Sequence, residues 1–87
     1  MTLDLRGITH KTALHGLFKF RLNFPEWYGA NWDAFWDCIT AMISMPTELR
    51  LENWQEFAES SPHDMNILRE LIADYHHAIP GKRITLA

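Results

Sequence analysis

The sequence predicts a small α/β domain in which a three-stranded parallel sheet packs with about four helices. Three observations lead to this fold class. Short alternating segments occur near both ends of the chain and in its middle, segments with helical periodicity separate them, and Pro or Gly marks most junctions. Because helical connections separate successive strands, parallel pairing is favoured. A chain of 87 residues suffices for one domain, so we expect residues 1–87 to form it.

The N-terminal segment predicts a strand followed by a helix. Residues 2–7 (TLDLRG) alternate between apolar and polar side chains, which is typical of a strand. Residues 11–22 then carry leucine and phenylalanine at helical spacing, which predicts an amphipathic helix. Thr9 lies just before this segment and is a candidate cap for the helix.

The next predicted element is a helix that follows a loop. The loop contains Pro25 and Gly29, which are both residues that interrupt regular structure. Asn31 is a candidate N-cap, because its side-chain oxygen is well placed to accept a bond from the first helical turn. We expect the helix to continue to Met42 or Ile43, before the proline at position 46.

The second half of the chain predicts a strand, two helices and a final strand. Residues 48–52 (ELRLE) alternate again, and residues 52–60 are consistent with a short helix. A longer helix is predicted over 62–78, because a proline is well tolerated at its first position and Pro-Gly follows its end. The last five residues, 83–87 (RITLA), predict the third strand.

Composition argues against several classes of function. The net charge is −3 and the pI is about 5.9, so neither nucleic acid nor an anionic membrane surface is an expected partner. Cys38 is the only cysteine, which excludes an internal disulfide. The N-terminus lacks the apolar core of a signal peptide, and no run is long enough to span a membrane. We expect a cytoplasmic protein, and a monomer.

The helix predicted over residues 31–43 has an apolar face and an acidic face. On a helical wheel, Asp33 and Asp37 lie on the polar side, Trp36 lies at its border, and Cys38 lies on the flank of the apolar stripe. We expect that stripe to face the sheet; its members are Trp32, Phe35, Ile39, Met42 and Ile43.

The two aspartates destabilise the helix locally. At a spacing of four residues they repel each other by roughly a few tenths of a kcal/mol. Asp33 recovers this near the positive helix N-terminus, but Asp37 lies a turn further in. No lysine or arginine occurs between Leu22 and Leu49 to neutralise them. The pattern fits a surface kept for an external partner, although two exposed aspartates are also common on an ordinary solvated face.

The same segment resembles the barstar family of intracellular ribonuclease inhibitors. Residues 25–40 match the pattern PE-x-YG-x-N-x-DA-x-WDC-x-T, and Pro46 and the Trp54-x-x-Phe57 spacing extend the similarity. The resemblance implies a three-stranded parallel sheet with helices. It also implies a protein that is not an enzyme, needs no cofactor or metal, and blocks the active site of a secreted, basic, barnase-like ribonuclease.

The resemblance further implies which residues bind the partner. Asp37 would enter the pocket that normally holds an RNA phosphate, and Asp33 would pair with nearby basic groups. The other implied contacts are Trp27 in place of a family tyrosine, Gly29, Asn31, Trp36, Thr40, Met42 in place of a family tryptophan, and Asp74 in place of a family glutamate on the last helix. Carboxylates on a rigid helix can imitate phosphates with little loss of entropy on binding.

Other interpretations compete with ribonuclease inhibition. The main alternative is a binding or immunity module of the same fold for a different basic toxin or regulatory partner. A small enzyme is less favoured, because Cys38 beside an apolar stripe is more often a buried thiol, and because we expect Asp33 and Asp37 to lie on a convex surface without a cleft. His76 and His77 point about 100° apart on a helix, which disfavours a metal site.

Overall fold

In the computed structural model, which describes residues 1–87, three parallel strands form a single sheet with the second strand at its centre. The strands are β1 (Thr2–Asp4), β2 (Glu48–Glu52) and β3 (Arg83–Leu86). Leu3 of β1 lies opposite Leu51, and Leu49 of β2 lies opposite Ile84 of β3. The predicted three-stranded parallel sheet is therefore confirmed.

Four α-helices and one π-helical turn connect and cover the strands. They are α1 (Lys11–Arg21), α2 (Trp32–Asp37), the π-helical turn (Cys38–Met42), α3 (Gln55–Ser60) and α4 (Pro62–Ala78). The sequence predicted the four helices, and the bounds of α4 agree with the prediction at both ends. None of the helices combines the length and the apolar character that crossing a bilayer requires.

The N-cap of α1 differs from the prediction. His10 has the extended backbone of a cap, and its imidazole accepts a hydrogen bond from the Ala13 amide at 3.4 Å. Thr9 is therefore not the cap, and its carbonyl instead accepts a bond from the Ser61 hydroxyl at 2.7 Å. A histidine is an uncommon cap, so residue preferences favoured the threonine next to it.

The bounds of β1 and α3 differ from the predicted ones, in each case near a residue with a positive φ. β1 ends at Asp4, three residues before the chain turns at Gly7, where φ is +80°. α3 begins at Gln55, later than predicted, because Asn53 has a φ of +56°, which is incompatible with a helix directly after β2. Asparagine tolerates this left-handed conformation better than most residues.

The helix after the loop changes its winding at Cys38, which the sequence did not predict. In the π-helical turn, the Ile43 amide donates to the Cys38 carbonyl five residues earlier, at 3.1 Å. A π-turn contains more residues per turn than an α-helix, so the positions after Asp37 leave the faces that an α-helical wheel assigns to them. Met42 is consequently 51% exposed, and its predicted place on the core stripe is wrong. Cys38, predicted on the flank, is fully buried.

One hydrophobic core lies between the sheet and the helices. Phe35 of α2 packs against Phe18 of α1, with ring centroids 4.7 Å apart. Trp32 also packs on Phe35, with centroids 5.6 Å apart, but it is only half-buried and also reaches the surface. The core residues are Leu3, Leu5, Leu14, Phe18, Leu22, Phe24, Tyr28, Phe35, Cys38, Ile39, Met45, Leu49, Leu51, Phe57, Met65, Leu68, Tyr75 and Ile84.

Candidate functional site

The start of α2 is held by the predicted cap. The Asn31 side-chain oxygen accepts a hydrogen bond from the Ala34 amide at 2.7 Å. A Cβ atom added to Gly29 would lie 3.3 Å from the Asn31 Nδ2, so a larger residue there would press on the cap. The cap positions Asp33 in the first helical turn, where the helix dipole favours a negative charge.

The acidic face of α2 points into solvent, and no lysine, arginine or histidine of the protein pairs with its carboxylates. Asp33 and Asp37 are both exposed, and neither forms an ion pair or accepts a side-chain hydrogen bond. The three ion pairs of the protein lie elsewhere; they are Arg6–Asp4, Arg50–Glu52 and Arg83–Glu48. The two carboxylates are therefore available to an external partner.

A groove of about 480 Å³ lies between α2 and α4. Its carboxylates are exposed and its apolar side chains are half-buried, so the acidic groups lie above a more apolar floor. The lining residues are Trp32, Asp33, Trp36 and Asp37 from α2, and Ile67, Glu70, Leu71 and Asp74 from α4. The expected convex surface without a cleft is therefore wrong, because α4 packs beside α2 and supplies a second wall.

The α4 wall contains one acidic residue that the sequence analysis named and one that it missed. Asp74, which the resemblance implies as a partner contact, lies in the groove and is exposed. Glu70 lies in the same groove one turn earlier. The signal was present in the sequence, since Glu70 and Asp74 repeat the four-residue spacing of Asp33 and Asp37.

The remaining predicted contacts surround the groove or support it. Trp36 is half-buried and lines the groove. The Thr40 hydroxyl donates its proton to the Trp36 carbonyl at 2.7 Å, so it has no free proton to donate to a partner. Trp27 in the loop and Met42 in the π-helical turn are 61% and 51% exposed. Two large apolar side chains are therefore accessible on the segments that flank the acidic face of α2.

The other reactive side chains do not favour chemistry at this site. Cys38 is completely buried, and burial, together with the negative charge of Asp37, raises the pKa of its thiol. A neutral, buried thiol is a poor nucleophile. His76 does not meet a metal-binding partner either; its Nε2 accepts a hydrogen bond from the Ile84 amide at 3.1 Å, at the open edge of β3.

The chain is similar to known proteins over part or all of its length. The family model described as Barstar (barnase inhibitor) matches residues 1–87. A protein of Bacillus subtilis (strain 168) named "Putative ribonuclease inhibitor YrdF" is 40% identical over 53 residues, which are 61% of this chain and 58% of that protein. The match thus spans a little over half of the relative's length. Because the family model covers the whole chain, the protein belongs to the barstar family.

Proposed function

We propose that this protein inhibits a basic, barnase-like ribonuclease by placing the acidic groove against the cleft in which the enzyme binds RNA. The observation that carries the proposal is the set of four exposed carboxylates in one groove, none of them paired with a cation of the protein. The family assignment and the name of the Bacillus subtilis relative support the same role.

The proposed mechanism is imitation of the RNA backbone. A ribonuclease holds a polyanion, so its cleft is lined with cationic side chains. Asp37 lies on an exposed helix face and would occupy the position of a phosphate, while Asp33 and Asp74 would meet basic groups nearby. Because the carboxylates stand on helices, little conformational freedom is lost when they bind, and substrate is excluded from the occupied cleft.

Complementary charge also favours rapid association. The protein carries a net charge of −3, and its groove contains no lysine, arginine or histidine. Opposed fields raise the rate at which the two proteins meet in the correct orientation. In this proposal the protein acts in the cytoplasm, where a ribonuclease must be blocked before it degrades cellular RNA.

A second candidate function is immunity to a different basic toxin. The specific observation behind it is the exposure of Trp27 and Met42, which replace a tyrosine and a tryptophan of the family pattern beside the acidic face. Different apolar side chains at these two positions would favour a different partner. The carboxylates would still bind a cationic cleft.

An inhibition assay tests the proposal. The protein is titrated against a panel of microbial guanyl-type ribonucleases, and residual cleavage of an RNA substrate is measured. We expect at least one enzyme to lose activity at a one-to-one ratio. Inhibition of none of the panel, combined with binding to another basic toxin domain, would favour the immunity module instead.

A further inference from the structure

A single hydrogen bond connects the two walls of the groove. The Trp32 indole Nε1–H donates to the Asp64 Oδ1 at 3.0 Å. No other hydrogen bond or ion pair joins α2 to α4. Trp32 is thus both part of the groove lining and the donor that links α2 to the first turn of α4.

Asp64 makes no ion pair and no other hydrogen bond in the structure, although its charge also acts on the nearby His15. It lies half-buried in the first turn of α4. Its hydrogen bond to Trp32 is the only one that its carboxylate accepts. A carboxylate that accepts from an indole in a half-buried setting forms a stronger bond than a neutral acceptor would.

The indole itself is held by the core. Its ring centroid lies 4.5 Å from that of His15 in α1 and 5.6 Å from that of Phe35. The donor therefore has a defined position, and the hydrogen bond connects the N-terminal part of α4 to it.

The two walls of the groove carry charges that repel each other. Asp33 and Asp37 on one wall stand near Glu70 and Asp74 on the other, and no cation of the protein lies in the groove. Like charges without a cation between them favour a wider groove. Hydrophobic contact at the half-buried apolar floor opposes this widening, but such contact is not directional. A hydrogen bond, in contrast, has a preferred distance and angle.

We propose that Asp64 is a positioning residue that sets the separation of α2 and α4, so that Asp37 and Asp74 can contact one basic partner at the same time. This rests on the proposed function, in which both walls bind the ribonuclease. Asp64 does not touch the partner; it acts through Trp32.

Two substitutions separate the hydrogen bond from the charge. Asp64→Asn removes the charge and keeps an oxygen that can accept from the indole, whereas Asp64→Leu removes the acceptor at similar size. We expect Asp64→Leu to raise the dissociation rate of the inhibited complex about tenfold, and Asp64→Asn to raise it by only about threefold, because a neutral oxygen accepts a weaker bond than a carboxylate. Equal dissociation rates for the two variants would overturn the proposal.

A double-mutant cycle tests whether the effect passes through α4. In an Asp74→Ala background, the wall that Asp64 positions has lost its contact, so Asp64→Leu should change the dissociation rate by less than about twofold. Full additivity of the two substitutions would overturn the proposal. Trp32→Phe removes the donor and keeps an aromatic ring, so it repeats the test if Asp64→Leu folds poorly; we expect the same faster dissociation.

A measurement on the free protein separates this inference from the proposed function. Nuclear Overhauser contacts between the groove side chains of α2 and those of α4 should weaken in Asp64→Leu and persist in Asp64→Asn. Contacts of unchanged intensity in Asp64→Leu would overturn the positioning role, whatever the ribonuclease assay gives. A wild-type protein that inhibits no ribonuclease would instead overturn the proposed function, while the contacts between the helices would still decide the role of Asp64.

Discussion

The His15 imidazole is hydrogen-bonded to the Tyr28 hydroxyl, and this buried contact links α1 to the loop that precedes α2. His15 is only 1% exposed. Burial, with a smaller contribution from the positive charge of Lys11, lowers the pKa of His15 to about 4 from 6.5, while Asp64 acts in the opposite direction. The imidazole is consequently neutral at neutral pH.

The first expected outcome is a loss of stability in mild acid. Between pH 6.5 and about 4, the unfolded chain binds a proton at His15 and the folded protein does not. The stabilisation is fully present above pH 6.5, and the free energy of unfolding should fall by about 3 kcal/mol across this window. Urea unfolding at a series of pH values measures it. His15→Gln cannot titrate, so a pH profile as steep as that of the wild type would contradict this origin.

The second expected outcome concerns the acidic face. Asp37→Ala should weaken binding to an inhibited ribonuclease by at least about 100-fold, or about 3 kcal/mol, because it leaves a buried cation of the enzyme unpaired. Calorimetric titration measures this.

Glu59→Ala is the matched control, since Glu59 is exposed and lies outside the groove. Glu56 is a poorer control, because its carboxylate accepts from the Gly7 amide at 2.9 Å. Equal losses in Asp37→Ala and Glu59→Ala would reject the acidic face as the interface.

The third expected outcome is a salt-dependent association rate. Because exposed charges are screened at high ionic strength, association should slow by about tenfold between roughly 0.05 M and 0.5 M salt, with little change in dissociation. Stopped-flow mixing with the enzyme measures both rates. An association rate that is independent of salt would indicate an apolar interface centred on Trp27 and Met42.

The fourth expected outcome concerns the apolar border of the site. Met42 is 51% exposed, so Met42→Ala should leave the free energy of unfolding within about 0.5 kcal/mol of the wild type. Binding should weaken by about fivefold, or about 1 kcal/mol, if the partner covers this side chain. Ile39 is the opposite control, because it is buried and its truncation to alanine should destabilise the protein by about 2–5 kcal/mol. A Met42→Ala variant that unfolds as readily as Ile39→Ala would place Met42 in the core.

Much of this protein was determined by the sequence alone, because local patterns report local structure. Alternation predicted the three strands, helical spacing predicted the four helices, and Asn31 was identified as the cap that it is. The same local pattern identified Asp33 and Asp37 as an unneutralised pair, and the structure leaves both exposed and unpaired.

Only the tertiary structure decided what stands opposite that pair. A helical wheel describes one helix with a constant angle per residue, so it could not foresee the π-helical turn that exposes Met42 or the groove in which Glu70 and Asp74 face α2. The Trp32–Asp64 hydrogen bond likewise joins residues far apart in the chain. Sequence patterns record which face of an element is apolar, but the packing of one element on another determines which side chains meet.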